Sequence, residues 1–380
     1  MVWSEMVIDV AIQCGVSGLV LFGVLNLAGM QTWLERKQSA LIQDRVGANR
    51  AYFVFPWRWA APINWLLKKL GGLGILNALA DVVKLLTKED VVPTRADRFL
   101  HTLAPVLSVF FALIAFAAIP IGPTVQVFGR EIPLQVANVN AGILVVLALA
   151  SIGVYGVILA GMISGSNLAT LGGLRASSQM LAYEIALGVS LIGPIIWFGT
   201  LDLLKIVERQ GQMWLSGWLP SWGVFIQPMA CVIFMTAALA ETKRVPFDLP
   251  EGEPEIIGYF TEYSGMKFGL FFLTDFVEIV LISALTTTLF FGGWQMPWLS
   301  PEGFVFPWGG QLPVSHLVYV VLGLVAFTVK VSFFIWLFMQ IRWTLPRFRY
   351  DQLLYLGWKV LFPLSLANIA VTAVVVVMRS

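Results

Sequence analysis

Six of the chain's 22 acidic residues fall between Glu241 and Lys267: Glu241, Asp248, Glu251, Glu253, Glu255 and Glu262. Long apolar runs flank this stretch on both sides, and Pro246, Pro250 and Pro254 prevent it from being one regular helix. Four further ionisable residues, Glu184, Asp275, Glu278 and Lys330, lie inside apolar runs. A charge at mid-bilayer costs on the order of 3 kcal/mol on insertion scales, so each should face protein or water. Asp275 and Glu278 are three residues apart and share a helix face. Carboxyls clustered in a low dielectric cannot all ionise and titrate as a coupled set, which is the physics of a proton relay. Two roles are open to the acidic stretch: a docking surface or the handling of protons. In the bland alternative, each intramembrane acid is paired with Lys330, Arg175 or a backbone donor and is structural.

The elements that must position these residues are membrane spans. A chain that is 58% hydrophobic, 12% charged and of mean hydropathy +0.82 is a polytopic membrane protein rather than a soluble globule. The expected fold is all-α, with about eight transmembrane helices plus cytoplasmic amphipathic helices. Apolar runs place the spans at about 10–31, 102–120, 142–163, 181–199, 222–240, 268–291, 317–340 and 358–378. Glu5 and Asp9 stand where a cleavable leader would be basic, so the first run is expected to be retained. The loops after spans 1, 3, 5 and 7 carry 19 Lys and Arg against 4 on the other side, with Lys330 inside span 7. That bias puts the odd loops in the cytoplasm, both termini on the non-cytoplasmic side, and the 241–267 segment on the cytoplasmic face.

Cys14 and Cys231 are isolated in apolar runs, and His101 and His316 stand alone near span ends. No metal, haem or iron–sulfur ligand set is visible, so any redox chemistry must use a partner's cofactor. The first cytoplasmic loop, 35–101, is not merely solvated. In ILNALADVVKLLTK, Ile75, Leu79, Val82 and Leu86 form an apolar stripe opposite Asn77, Asp81, Lys84 and Lys88. This pattern predicts an amphipathic helix along the membrane surface, or else one packed on its own spans. Trp57, Trp59 and Trp65 beside basic residues have an interfacial composition.

Five segments carry a resemblance. They are Glu35-Arg36-Lys37 with Gln43 to Arg50; Ala80-Asp81 through Lys88-Glu89-Asp90; and Ser178-Gln179 with Tyr183-Glu184. Next come Ala240-Glu241-Thr242, Pro246 to Glu251 and Glu262 to Gly265, and finally Arg349 to Gln352 with Gly357-Trp358. Together they resemble one family, the H-type membrane subunit of bacterial respiratory complex I, whose mitochondrial counterpart is subunit 1, and the resemblance covers essentially the whole chain. There are departures: Ala48 where the family usually has proline, an extra segment around Phe53 to Gly71, and one residue fewer at Gly258-Tyr259. Asp275 stands where glutamate is common, and Ser151 where some relatives carry a further glutamate.

The resemblance implies a subunit of proton-pumping NADH:quinone oxidoreductase in the bacterial inner membrane. Its loops would complete a quinone chamber with peripheral-arm subunits, beside neighbouring membrane-arm subunits and the lipid bilayer, with no nucleic acid involved. Quinone would be the substrate, entering between span 1, span 6 and the amphipathic helix. FMN and iron–sulfur clusters would sit in partner subunits, and this chain would bind no cofactor. Glu35, Arg36 and Arg45 would line or brace the chamber. Asp248, Glu251, Glu253 and Glu255, with Glu262 in the same loop, would respond to quinone reduction. Glu241, Glu184, Asp275 and Glu278 would carry the disturbance inward. The nearest rival is the equivalent subunit of an energy-converting membrane-bound hydrogenase or a ferredoxin-dependent relative. A self-sufficient secondary transporter predicts internal repeats that are not seen, and a purely structural anchor predicts silent intramembrane acids.

Overall fold

In a bilayer every backbone N–H and C=O must be satisfied within its own segment, so uncharged apolar runs become helices. The computed structural model, which describes residues 2–127, 130–214, 217–251, 257–308 and 310–379, is a helical membrane bundle. Its helices are α1 (Val2–Ile42), α2 (Ala61–Leu73), α3 (Leu76–Thr87), α4 (Arg98–Ile114), α5 (Gly142–Ile163), α6 (Asn167–Phe198) and α7 (Leu203–Gln210). They continue with α8 (Gly223–Ile226), α9 (Pro228–Glu241), α10 (Gly265–Phe290), α11 (His316–Thr344), α12 (Tyr350–Tyr355) and α13 (Phe362–Arg379). Among the described residues, seven helical runs are long and apolar enough to cross a membrane: Val10–Ile42 of α1, α4 with its 3₁₀ extension to Ala118, α5, α6, α10, α11 and Tyr350–Arg379. Asp97 caps α4 by accepting from the Phe99 and Leu100 amides.

The expected span at 222–240 is a broken one. Pro228 lacks an N–H and disfavours helical geometry at the residue before it, so Gln227 sits at φ −132°, ψ 58° between α8 and α9. The Gln227 side chain compensates. Its Nε2 donates to Thr372 Oγ1 at 2.9 Å and its Oε1 accepts from Asn368 Nδ2 at 3.2 Å, tying the break to α13. With 14 residues, α9 is too short to span alone.

α10 is the axis of the bundle, packed against α1, α3, α4, α7, α9 and α11. Close approach elsewhere depends on glycine. A Cβ at Gly156 on α5 would meet the Ala104 carbonyl oxygen of α4 at 2.9 Å, and one at Gly161 would meet the Ala169 carbonyl oxygen of α6 at 2.8 Å. The two ends of the bundle differ in kind. At one lie the connections after α1, α5, α9 and α11, among them the charge-rich stretch that follows α9. At the other lie short antiparallel pairings: β1 (Val125–Val127) with β2 (Arg130–Ile132), β3 (Met213–Trp214) with β4 (Leu219–Pro220), and β5 (Leu299–Ser300), β6 (Gly303–Val305) and β7 (Gln311–Pro313) in one small sheet.

Lys330 belongs to the hairpin end. Its Nζ donates to the carbonyls of Phe291 (2.7 Å), Gly293 (3.0 Å) and Gln295 (2.6 Å), and lies 4.5 Å from the Trp222 ring centre. It is therefore not the partner of the intramembrane acids that the structural alternative offered among others; it fastens the turn that follows α10. Lys330→Met should lower the thermal denaturation midpoint of the assembled complex and speed amide exchange around 291–295. Each carbonyl left without a donor costs about 1–3 kcal/mol. An unchanged midpoint and exchange rate would show the clamp to be dispensable.

α2 and α3 meet at a bend of 92°. The expected apolar stripe of α3 faces outward: Leu79, Val82 and Leu86 are exposed, while Asp81 turns inward to α1. The helix does pack on its own spans, α1 and α10, but through the face that carries Asp81 and Leu85 rather than through that stripe. Trp57, Trp59 and Trp65 are also exposed, with Phe55, Trp57 and Trp59 stacked in series.

Candidate functional site

Three helices converge toward the charged end, α9 by its last residue and α6 and α10 by their middle turns. α10 carries Asp275 and Glu278 on one face, α9 ends on Glu241, and α6 carries Glu184 one residue beyond the buried Tyr183. The chain leaving α9 is pulled into this space by Gln179 of α6. Its Nε2 donates to both the Ala240 and Phe247 carbonyls at 2.8 Å, so it grips each side of the intervening turn. Tyr183 donates to the Leu353 carbonyl at 2.8 Å, and Ser178 shares a 2.7 Å hydrogen bond with the Tyr350 hydroxyl, which fixes the 350–355 segment against α6.

The turn after α9 holds two cations that point different ways. Lys243 adopts φ 56°, a left-handed conformation costing a side-chain-bearing residue on the order of 1 kcal/mol or more. Its fully buried ammonium reaches Asp275 at 3.3 Å and Glu278 at 3.5 Å, and stands 5.6 Å from the Tyr259 ring centre. Arg244 instead approaches Glu35 of α1 at 3.6 Å and lies 4.5 Å from the Phe276 ring centre. Glu35 also pairs with Arg342 of α11, so one carboxylate joins α1, α11 and the turn after α9. A further link follows: Arg347 Nη2 donates to Asp248 Oδ2 at 2.6 Å, and its Nε stands 2.6 Å from Oδ1 in the same ion pair.

Glu241 and Glu278 both line one cavity of about 30 Å³, walled mainly by apolar side chains of α4, α5, α6 and α10. That is room for a water or two. Glu241 lies within electrostatic range of Glu278, Glu184 and Lys243. Glu184 accepts from Ser151 of α5, so the residue standing in place of a family glutamate is itself a partner of the acid set. Carboxyls separated by a water-sized gap, in surroundings that cannot hold them all ionised, can pass a proton.

The other expected site residues stand further out. Arg36 pairs with Asp81 of α3 at 2.6 Å, both partly exposed. Arg45 is exposed on the turn after α1 and does not join the cluster. Glu262 is half-buried at the periphery, next to Tyr263, whose ring stacks on His101 with centres 4.0 Å apart. Burial pushes the Tyr263 hydroxyl up from its ordinary range, so it stays protonated. Glu251 closes a 3₁₀ turn, Leu249–Glu251, and Glu253 and Glu255 lie outside the described residues. Sequence reading missed Lys243, Arg244, Arg342 and Arg347 as site residues, because it used them only in the count of cytoplasmic loop charges. The available signal was the Lys243-Arg244 pair directly after Glu241 at a helix end. For metals or cofactors, the described residues offer no group of three or more His, Cys, Asp or Glu able to hold an ion. Cys14 is exposed on α1 and Cys231 is buried in α9, so they do not fit a cluster either.

Comparison with known proteins places the chain in a family. The family model described as NADH dehydrogenase matches residues 15–373. A protein of Geobacter metallireducens, named as the first of its H-type NADH-quinone oxidoreductase subunits, is 42% identical over 99% of this chain and the whole of its own length. One of Geobacter sulfurreducens, named as the second of the same type, is 43% identical over 96% of both chains. A Rhodothermus marinus protein named NADH-quinone oxidoreductase subunit 8 is 42% identical over 95% of this chain and 96% of its own. With seven apolar helices of spanning length, the chain is a multi-pass protein of the bacterial inner membrane, and it belongs to the NADH dehydrogenase family, among the H-type membrane subunits of NADH-quinone oxidoreductase, or complex I.

Proposed function

We propose that this chain walls part of a quinone chamber in a proton-pumping NADH:quinone oxidoreductase and couples quinone reduction to proton translocation. The observation that carries this reading is the joint opening of Glu241 and Glu278 into one cavity, with Glu184, Asp275 and Lys243 beside them. The positive-inside bias assigns the charged end to the cytoplasm, where the peripheral-arm subunits would dock. Quinone would enter where α1, α3 and α10 meet: Trp33 donates to the Leu73 carbonyl at 2.8 Å, and Leu85 lies against Gly269. An apolar entrance with a polar inner end suits a prenyl tail and a carbonyl head. The chain's own residues would bind and orient the quinone and move protons, while electrons would arrive from clusters in partner subunits. The names of the relatives favour this enzyme over a membrane-bound hydrogenase.

In the assembled complex, Glu184→Gln should depress quinone reduction and proton pumping together, because Gln keeps the Ser151 contact but cannot carry a proton. Rates of both are measured in proteoliposomes alongside the level of assembled complex. Wild-type rates with normal assembly would remove Glu184 from the relay.

A further inference from the structure

Lys243 was not singled out from the sequence, and the relay described above does not assign it a role. Among the described residues, three carboxyls and one ammonium face one another here: Glu241 from α9, Asp275 and Glu278 from α10, and Lys243 from the turn between them. The Tyr259 ring closes one side. Arg244, the adjacent cation, lies near enough to act on Glu278, but its guanidinium is in contact with Glu35 and Phe276. Glu184, with Ser151 as its partner, completes the groups within range of Glu241. The left-handed backbone at Lys243 turns its side chain into the bundle rather than out to the loop face.

We propose that Lys243 is the internal counter-charge that sets how many protons the Glu241–Asp275–Glu278 cluster holds, and so the pH range over which the cluster can relay. The proposal rests on the relay reading. A single buried ammonium in contact with two carboxyls favours the ionised form of its partners, whereas a carboxyl without such compensation in the same dry space keeps its proton. Lys243 thereby leaves a defined number of protons to be shared over the cavity between Glu241 and Glu278. It is a positioning residue: it acts through the acids and need not itself lose a proton.

The test uses the whole complex in proteoliposomes with Lys243→Met and Lys243→Arg. Two quantities are read: the pH profile of coupled quinone reduction, and the infrared C=O band of protonated carboxyls. Lys243→Met should move the acidic limb of the profile upward by about 1–3 pH units, because acids that lose a neighbouring cation bind protons more tightly, and should add a protonated carboxyl to the band. Lys243→Arg should keep the limb at its wild-type position, whatever the amplitude. A Met variant with unchanged limb and band, or an Arg variant shifted as far as Met, overturns the proposal. If Lys243→Met prevents assembly, the charge-balanced Lys243→Met/Asp275→Asn double variant decides. Restored assembly supports a counter-charge, and continued failure rejects it. The infrared band separates this proposal from the relay itself, since it reports the counter-charge even if pumping proves indifferent to Glu241.

Discussion

Glu241→Gln is expected to abolish proton pumping and lower quinone reduction at least about tenfold while the complex still assembles. Gln has nearly the same shape and polarity, so the end of α9, gripped by Gln179 through the Ala240 and Phe247 carbonyls, should keep its place. What is lost is the ability to take and release a proton at a position electrostatically coupled to both Glu278 and Glu184. A positioned acid–base group typically contributes about 10²–10⁴-fold to a proton-transfer step, so even partial rerouting past this position leaves a large deficit. Glu241→Asp should recover part of the rate, because the carboxyl survives on a shorter arm. Pumping is read by pH-sensitive dye quenching in proteoliposomes, quinone reduction by NADH oxidation, and assembly by native gels. If Glu241→Gln pumps at the wild-type rate with normal assembly, the proton path does not run through this residue.

Much of the fold was legible because bilayer physics leaves few choices. Uncharged runs must be helices, and Gly142–Ile163 is as plain in the residue order as in space. The acids were legible for the same reason, since charge inside an apolar run demands an explanation. Their partners were not. Lys243 and Arg244 closely follow Glu241, and a count of loop charges assigns neither a partner. Only the turn after α9, held by Gln179 some 60 positions upstream, sends one inward to α10 and the other to α1. The stripe on α3 shows the converse limit. Its periodicity was correct, but periodicity cannot say which face turns toward protein. The Arg36–Asp81 pair to α1 and the Leu85–Gly269 contact to α10 settle that, leaving Leu79, Val82 and Leu86 exposed. Lys330 lay within an apolar run like the acids and invited pairing with them, yet three backbone carbonyls at the opposite end of the bundle satisfy it.

The largest stability effect is expected at Glu35. This carboxylate holds Arg342 of α11 and Arg244 of the turn after α9, and the neighbouring Gln38–Gln340 hydrogen bond at 2.6 Å ties the same two long helices. Glu35→Leu would leave two guanidinium groups in a space that excludes most water. Removing one partner of a buried ion pair typically costs about 3–5 kcal/mol. Arg342 retains some access to solvent and can relax outward, which places the expected loss toward the lower end of that range. A loss of that size should deplete this subunit from the membrane complex. Arg342→Leu should be milder, because Glu35 keeps Arg244. The Glu35→Leu/Arg342→Leu double variant should assemble better than Glu35→Leu alone, since it strands one cation rather than two, and a double-mutant cycle on thermal stability should return a favourable coupling. Equal losses in the single and double variants would mean that the ion pair does not hold these helices together. The double variant also separates two roles for Glu35. If it assembles and reduces quinone with an unaltered KM, Glu35 is a brace between α1 and α11; if it assembles but the quinone KM rises, the carboxylate also shapes the chamber wall.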